Sequence, residues 1–451
     1  MTDYIVAIDL GTSHITGIVG EKNADGTFSI VAYETENTLS SCIHRGNIYN
    51  VDNTADHVKS LIRKLESHLK GGFIDRIYVG AGGQSVRTTD HVETKKFEDG
   101  EVVSAEDIRT LEEQCGKYNS DLLDVLEVVP ATYYVDGRRG KNPVGVSCKR
   151  LEARYKMVVG RMSVRRNIAK SIKDRCGKEI AGIIVSPLAL ADAMLSKEEK
   201  EVGCALVDFG AGVTSVTIYK NGDLLYSVVI PLGSALITRD ITSLQLTEEV
   251  SEKLKKEYGS ALFEEDDEVI NIDMEGSDRE IPVNDLNAIV EARAKEIVEN
   301  VHERISKVIE IKSLGAGIVL AGCASGLKKL PELIKAKCKV KPRYSAIREG
   351  LVRGDDDIIG NPLYMTVVSL LLKGTKQCVS FPAAPVTPVI EDDKNGKEDE
   401  KDKEIKKGLF RRNKKNNKPD PVPDENPKDP GTKEEEKKGW GNLFGDLFSE
   451  N

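Results

Sequence analysis

Two stretches of this chain follow one plan at a fixed distance, and that repeat restricts the possible folds more than any other feature. The first, YIVAIDLGTSHITGIVGEKNADGTFSIVAYE, stands near the start; the second is GCALVDFGAGVTSVTIYKNGDLLYSVVIPLG. Each reads as an apolar strand ending in Asp-x-Gly, a turn, a second strand, an Asp-Gly or Gly-Asp turn, and a third strand. Asp9 and Asp208 are 199 residues apart, and so are Gly11 and Gly210. A duplicated β-meander therefore seeds two similar domains. Helical segments such as NTADHVKSLIRKLESHLK and VNDLNAIVEARAKEIVENVHERISKVIEI surround the meanders, so the expected class is α/β.

An Asp-x-Gly turn between strands suits a phosphate. Glycine permits close backbone approach, successive N–H groups converge on an anion, and Thr12, Ser13 and Thr214 add hydroxyls. The carboxylates of Asp9 and Asp208 could hold a hydrated divalent cation or position a water, with Asp9 the first choice for the metal. Aspartic proteases also carry two such turns on duplicated lobes, but their site needs Asp-Thr-Gly, and here the sequences are Asp-Leu-Gly and Asp-Phe-Gly. A third element decides the matter. AGIVLAGCASGLKKLPELIKAKC reads as a strand, a small-residue turn through Gly322 and Ser325, and a helix opened by Leu-Pro, which presents backbone to a flat base and to phosphate. The order phosphate turn, phosphate turn, adenosine turn is that of the actin-like ATPase superfamily. The nucleotide set is then Asp9, Gly11, Thr12, Ser13, Asp208, Gly210, Gly212, Thr214, Gly322 and Ser325, with ATP and Mg2+ as cofactors.

The rest of the chain bounds its surroundings. With 451 residues, 39% of them hydrophobic, it can bury a core divided among several domains. No run of eighteen apolar residues occurs, so no membrane-spanning helix is expected. MTDYIVAIDLG reads directly as a strand without a charged leader, which makes secretion an unexpected fate. Eight cysteines stand singly, the pattern of reduced thiols, and a net charge of -9 speaks against nucleic acid as a partner. From Glu391 onward charge and proline replace apolar residues, and a disordered linker is expected over 379–436, with a basic block from Lys406 to Lys418. Beyond it Trp440, Leu443, Phe444, Leu447 and Phe448 fall at i, i+3, i+4, i+7 and i+8, one helical stripe. By itself that stripe is equally the mark of an exposed tail or of a helix that docks on a protein.

Between the two meanders lies EVVSAEDIRTLEEQC, then DVLEVVPATYYVDGRRGKNPVGVSCKRLEARYKMVVG. This region resembles the small subdomain inserted in the bacterial cell-division protein FtsA family, at Pro130, Tyr134, Asp136, Gly137, Asn142 to Gly145, Leu151 and Glu152. Similar matches run through SPLALADAML, VIPLGSALITRDI, LKKEYGSAL and NPLYMTVVSLLLKG, so the resemblance covers roughly residues 3 to 375. It implies an actin-like two-lobed fold of duplicated ribonuclease-H-like domains with an inserted α+β subdomain and a disordered tail. The first lobe would comprise 1–82 completed by 355–378, and the insert 83–162. The second lobe would comprise 163–235 and 311–354, its smaller subdomain 236–310, and the membrane-targeting helix 437–451.

The resemblance also implies a role. Such a protein tethers the FtsZ polymer to the cytoplasmic face of the bacterial membrane at the septum, assembles with itself, and recruits later divisome proteins. Anionic lipid would be met by the Trp440–Phe448 stripe, and the FtsZ C-terminal tail by Arg293 and Glu296. Without the resemblance, the helix that carries these two is simply charged outside and apolar inside. Another actin-like ATPase, of the pilus-assembly or rod-shape type, or a phosphotransferase, is the alternative. Several departures fall on the nucleotide site: Ala211 and Ser215 in the second turn, Cys323 in the third, Ser186 where a Glu is common, and Val367 and Ser369 in place of smaller residues. They point to ATP binding with weak hydrolysis or none.

Overall fold

The computed structural model describes residues 3–382, apart from short stretches at 39–40, 118–121, 141, 265–267, 275–276 and 355. The expected membrane helix and nearly all of the expected linker lie outside the described residues. The chain starts with β1 (Asp3–Leu10), β2 (His14–Lys22) and β3 (Phe28–Asn37), an antiparallel meander. Helix α1 (Val51–Ser67) follows, its free N–H groups capped where the Asn50 side chain accepts from Asn53 at 3.0 Å. Its buried residues Val58, Leu61, Ile62 and Leu65 fall at i, i+3, i+4 and i+7, and they cover the sheet. Gly17 on β2 makes this contact possible, since a Cβ there would lie 2.9 Å from a Leu65 methyl. Strand β4 (Arg76–Ala81) then joins β1 in parallel.

The insert follows. It consists of β5 (Arg87–Lys96), α2 (Ala105–Gly116), β6 (Leu123–Val135), β7 (Arg138–Gly140) and β8 (Arg150–Arg161). A capping box between Ser104 and Asp107 starts α2. Its small core is built on Leu111, Cys115, Leu151, Tyr155 and Met157. Helix α3 (Met162–Ala169) leads back to β9 (Glu179–Val185), which pairs in parallel with β4.

The crossing to the second lobe is made by α4 (Ser186–Met194) and α5 (Lys197–Val202). The second lobe holds β10 (Cys204–Phe209), β11 (Thr214–Lys220), β12 (Asp223–Ile230), α6 (Ala235–Ile241), α7 (Glu248–Glu257) and α8 (Val283–Ser306). It closes with β13 (Ile318–Ala321), α9 (Leu330–Cys338) and β14 (Pro342–Tyr344). Helix α10 (Pro362–Leu371) returns the chain to the first lobe and packs on α4.

The duplication reaches the level of register. Asp9 pairs with Thr16 across β1–β2, and Asp208 with Ser215 across β10–β11, again 199 residues on. In each lobe the Asp-bearing strand has its meander on one side and a parallel strand, β4 or β13, on the other.

Three expected boundaries move. Residues 163–185 were expected in the second lobe, but β9 extends the first sheet because its apolar run continues the parallel pairing beside β4. Val352–Arg353 likewise pairs with β3 of the first lobe. The linker expected from 379 begins later, because Val379–Ser380 pairs with Phe73–Ile74 and Phe381 packs on the Tyr4 ring at 5.5 Å. The insert, for its part, is joined to the second lobe's sheet: β5 lies beside β12, with Arg87 opposite Val228.

Candidate functional site

The three turns marked in the sequence meet in one cleft. Thr12 of the first turn packs on Gly212 of the second so closely that a Cβ there would stand 2.3 Å from the Thr12 hydroxyl. Gly322 opens the third turn with φ +81°, a conformation side chains rarely adopt. A Cβ on it would lie 2.4 Å from Asp208 Oδ1 and 2.5 Å from the Phe209 carbonyl. Glycine is therefore required there twice over, by its dihedral and by its neighbours.

Asp9 and Asp208 end β1 and β10 and face the same space. Burial raises the Asp9 carboxyl from an ordinary 3.8 to about 7, with the Asp208 charge adding to the effect. Burial raises Asp208 to about 6, opposed by a hydrogen bond from the Ser215 hydroxyl. So Ser215, one of the departures in the second turn, acts as a donor to Asp208. Ser186 stands at the start of α4 with its hydroxyl buried and without a partner. It lies next to Asp9, since a Cβ on Gly80 would be 2.6 Å from Ser186 Oγ and 3.0 Å from Asp9 Oδ1. Two carboxylates short of countercharge, an orphaned hydroxyl and a glycine-lined backbone fit a hydrated Mg2+ with an anionic ligand. Two protein carboxylates suffice for Mg2+, which keeps most of its waters. No group of three or more metal ligands occurs among the described residues.

The hydroxyls divide into two sets. Thr12 Oγ1 accepts from the Gly46 N–H at 3.1 Å, and Ser13 Oγ lies 2.8 Å from His14 Nδ1 at the cleft surface. Thr214 instead donates to the Leu232 carbonyl at 2.8 Å and is buried. Ser325 is buried too and donates to the Gly322 carbonyl at 2.7 Å. These two hydroxyls donate to backbone carbonyls and so brace their turns. Beside the third turn, Phe209, Ile237, Ala294, Ala324 and Leu327 line a small apolar cleft suited to one edge of a flat ring.

One part of the site escaped the sequence reading. Helix α7 carries Glu252, Lys255 and Lys256 at i, i+3 and i+4, and it faces His14 of the first lobe. The His14 imidazole is held below its ordinary value by burial first and then by the Lys256 ammonium, while Glu252 opposes them. Lys255 is buried and bonded to Glu252, to Thr238 Oγ1 at 2.9 Å and to the Ser234 carbonyl at 3.4 Å. Lys256 is exposed and ion-paired with Glu252 at 3.4 Å, and its charge acts on His14. The signal was present in SEKLKKEY, where Glu252 precedes Lys255 and Lys256 at helical spacing.

Arg293 and Glu296 lie on α8, the helix whose Ala294 and Ile297 line the apolar cleft. The Arg293 guanidinium is ion-paired with both Asp240, at 2.6 Å from Nε, and Glu296. These partners raise its pKa further, Asp240 most. The expected anchor is thus already neutralised within the chain, and Asp240 is a member of the cluster that the sequence did not reveal. Trp440, Leu443, Phe444, Leu447 and Phe448 lie outside the described residues.

Two Asp-bearing meanders, joined by crossing helices and closed over a glycine turn, define an actin-like protein. A solved PilM–PilN type IV pilus biogenesis complex shares this fold, with a TM-score of 0.58 over 82% of this chain and 98% of that one at 14% identity. Within the class, residues 205–369 match the model of the cell division protein FtsA, and residues 83–159 match that of the SHS2 domain inserted in FtsA. The cell division protein FtsA of Porphyromonas gingivalis is 32% identical over 84% of this chain and 80% of its own length. That of Pseudomonas aeruginosa is 30% identical over 83% and 89%. The chain belongs to the FtsA family and is a cell-division protein.

Proposed function

We propose that this protein tethers the FtsZ polymer to the cytoplasmic face of the membrane at the division septum, using ATP as a clamp between its lobes. The convergence of the Asp9, Asp208 and Gly322 turns on one cleft carries the nucleotide part of this reading. Asp9 and Asp208 would hold Mg2+, which supplies charge neutralisation to the phosphates when bound. Gly11, Gly210 and Gly212 let the backbone approach the phosphates, Lys256 faces them from α7, and the apolar cleft beside Ala324 takes an edge of the base. Closing both lobes on one ligand orders the two turns against each other.

Hydrolysis requires a positioned water; with Asp9 and Asp208 taken up by Mg2+, the groups left for that task are hydroxyls. Ser186 is too weak a base to take a proton from water, and the Ser215 hydroxyl is committed to Asp208. Turnover is therefore slow, and the nucleotide acts mainly in assembly of the protein with itself. The FtsZ tail, acidic and apolar, docks at Arg293. The Trp440–Phe448 stripe inserts into anionic lipid, and the many copies in an assembly convert weak single tails into firm attachment. An assembly held in this way can also collect later divisome proteins. The test is co-sedimentation with anionic liposomes. The full chain should pellet with lipid and should carry FtsZ down with it; FtsZ left in the supernatant while the chain pellets removes the tether.

A further inference from the structure

Helix α6 touches both of these sites. Its first turn is fastened to the second phosphate turn: the Ser234 N–H donates to the Gly210 carbonyl at 3.0 Å, and the Ala235 N–H to the Ala211 carbonyl at 2.9 Å. The approach is so close that a Cβ on Gly233 would lie 2.2 Å from the Ala211 oxygen. Its middle is held to α7, where the Thr238 hydroxyl meets Glu252 and Lys255. Its last turn carries Asp240, the partner of Arg293. Seven residues of helix span only about 10 Å and have little slack. Helix α8 shares a core with α6, in which Ile237 and Ile241 lie with Leu286, Val290 and Ala294, but its 24 residues run on to Val301 and Ile305, well past the length of the seven-residue α6. A displacement of the 210–212 backbone therefore shifts Asp240 relative to Arg293.

We propose that α6 couples the two sites, so that nucleotide occupancy sets the affinity of the Arg293 surface for an acidic peptide. This rests on the reading of Arg293 as the peptide anchor. A carboxylate of the peptide competes with Asp240 for one guanidinium, so any shift that loosens the internal pair strengthens the external one, and the reverse holds equally. By linkage, the peptide changes nucleotide affinity by the same factor.

The test uses the full chain and a fluorescein-labelled FtsZ C-terminal tail peptide, titrated with and without ATP–Mg2+. The two affinities should differ by roughly fivefold or more, the low end of ordinary coupling. In Asp240→Asn they should converge, because the competitor carried by α6 has lost its charge, while Glu296 sits on α8 with Arg293 whatever α6 does. Equal affinities in the unmodified chain, with ATP binding verified on the same sample, overturn the coupling, as does an undiminished difference in Asp240→Asn. Undiminished peptide binding by Arg293→Glu overturns instead the peptide reading on which it rests. A peptide-free readout stands beside these. On adding ATP–Mg2+, amide exchange should change over 235–241 and again over 289–297, and in Asp240→Asn only over the former. No change over 289–297 in the unmodified chain refutes the proposal.

Discussion

Asp9→Asn should make the nucleotide-free protein more stable while weakening its site. The Asp9 carboxyl titrates at about 7 in the fold against an ordinary 3.8. At about 1.4 kcal/mol per pH unit, ionising it inside the cleft costs about 4 kcal/mol. With the carboxyl protonated in the fold and ionised in the unfolded chain, stability is full below the ordinary value and falls as pH rises through about 7. The amide of Asn can still accept the hydrogen bond from the Leu10 backbone, and it carries no charge to repel Asp208. Water penetration into the cleft reduces the gain, so about 2–4 kcal/mol at pH 8 is expected. A folded body of this size unfolds with an entropy of about 2.1 cal/mol/K per residue, which converts that gain to a Tm increase of roughly 3–5 °C. Scanning fluorimetry without nucleotide, from pH 4 to pH 8, should show the two proteins closest at pH 4, diverging up to about pH 7 and a constant distance apart above it. Mg2+-dependent binding of a fluorescent ATP analogue should meanwhile weaken by about ten- to a hundredfold, the loss of one charge-assisted contact. A variant no more stable than the parent at pH 8, or one with the same pH slope, refutes the account of Asp9 as an uncompensated buried carboxyl.

Gly322→Ala should cost about 1–3 kcal/mol for backbone strain at φ +81°, plus the displacement of Asp208, and should abolish ATP binding before it unfolds the chain; thermal melts and analogue titration check the two effects. Arg293→Glu should weaken binding of the FtsZ tail by about ten- to a hundredfold in an anisotropy titration, and it leaves Asp240 and Glu296 facing a third acid. Steady-state ATP hydrolysis should stay below about one per second, near the low end for working kinases; a faster rate would give Ser186 or Ser215 a role that their hydroxyls do not suggest. Phe444→Glu should release the protein from anionic liposomes and abolish the blue shift of the Trp440 emission, because the stripe contributes only a few kcal/mol net from about 1.5–3 gross per side chain.

Local rules made much of this molecule readable. Apolar alternation and the Asp-x-Gly turns gave the meanders, and the constant offset gave the duplication, because strand period and turn chemistry are properties of adjacent residues. What stayed hidden depends on pairing at long range. The membership of β9 in the first sheet was not legible, since an apolar run such as EIAGIIV fits either lobe until β4 is in place beside it. The same holds for Asp240: nothing in ALITRDI says that its carboxylate will meet a guanidinium 53 residues away. Thr214 and Ser325 are a different case. Their turns belong to the site, yet their hydroxyls are spent on Leu232 and Gly322 carbonyls, so a residue type suited to phosphate marks the turn without marking a contact.

The serines bear on why such a site should exist at all. A carboxylate at 215 would be a third acid near Asp9 and Asp208, whose carboxyls already titrate near neutrality. Ser215 removes that repulsion and donates to Asp208, which favours its charged form and hence its readiness for Mg2+. A hydroxyl at Ser186 likewise leaves the Asp9 side of the cleft without further charge. On the reading proposed above, both serines would favour a held metal–nucleotide pair, and neither would add a carboxylate to act as a base on it. For the proposed tether that exchange would be useful: the clamp would last as long as the nucleotide stays, and release would follow from assembly and disassembly rather than from chemistry.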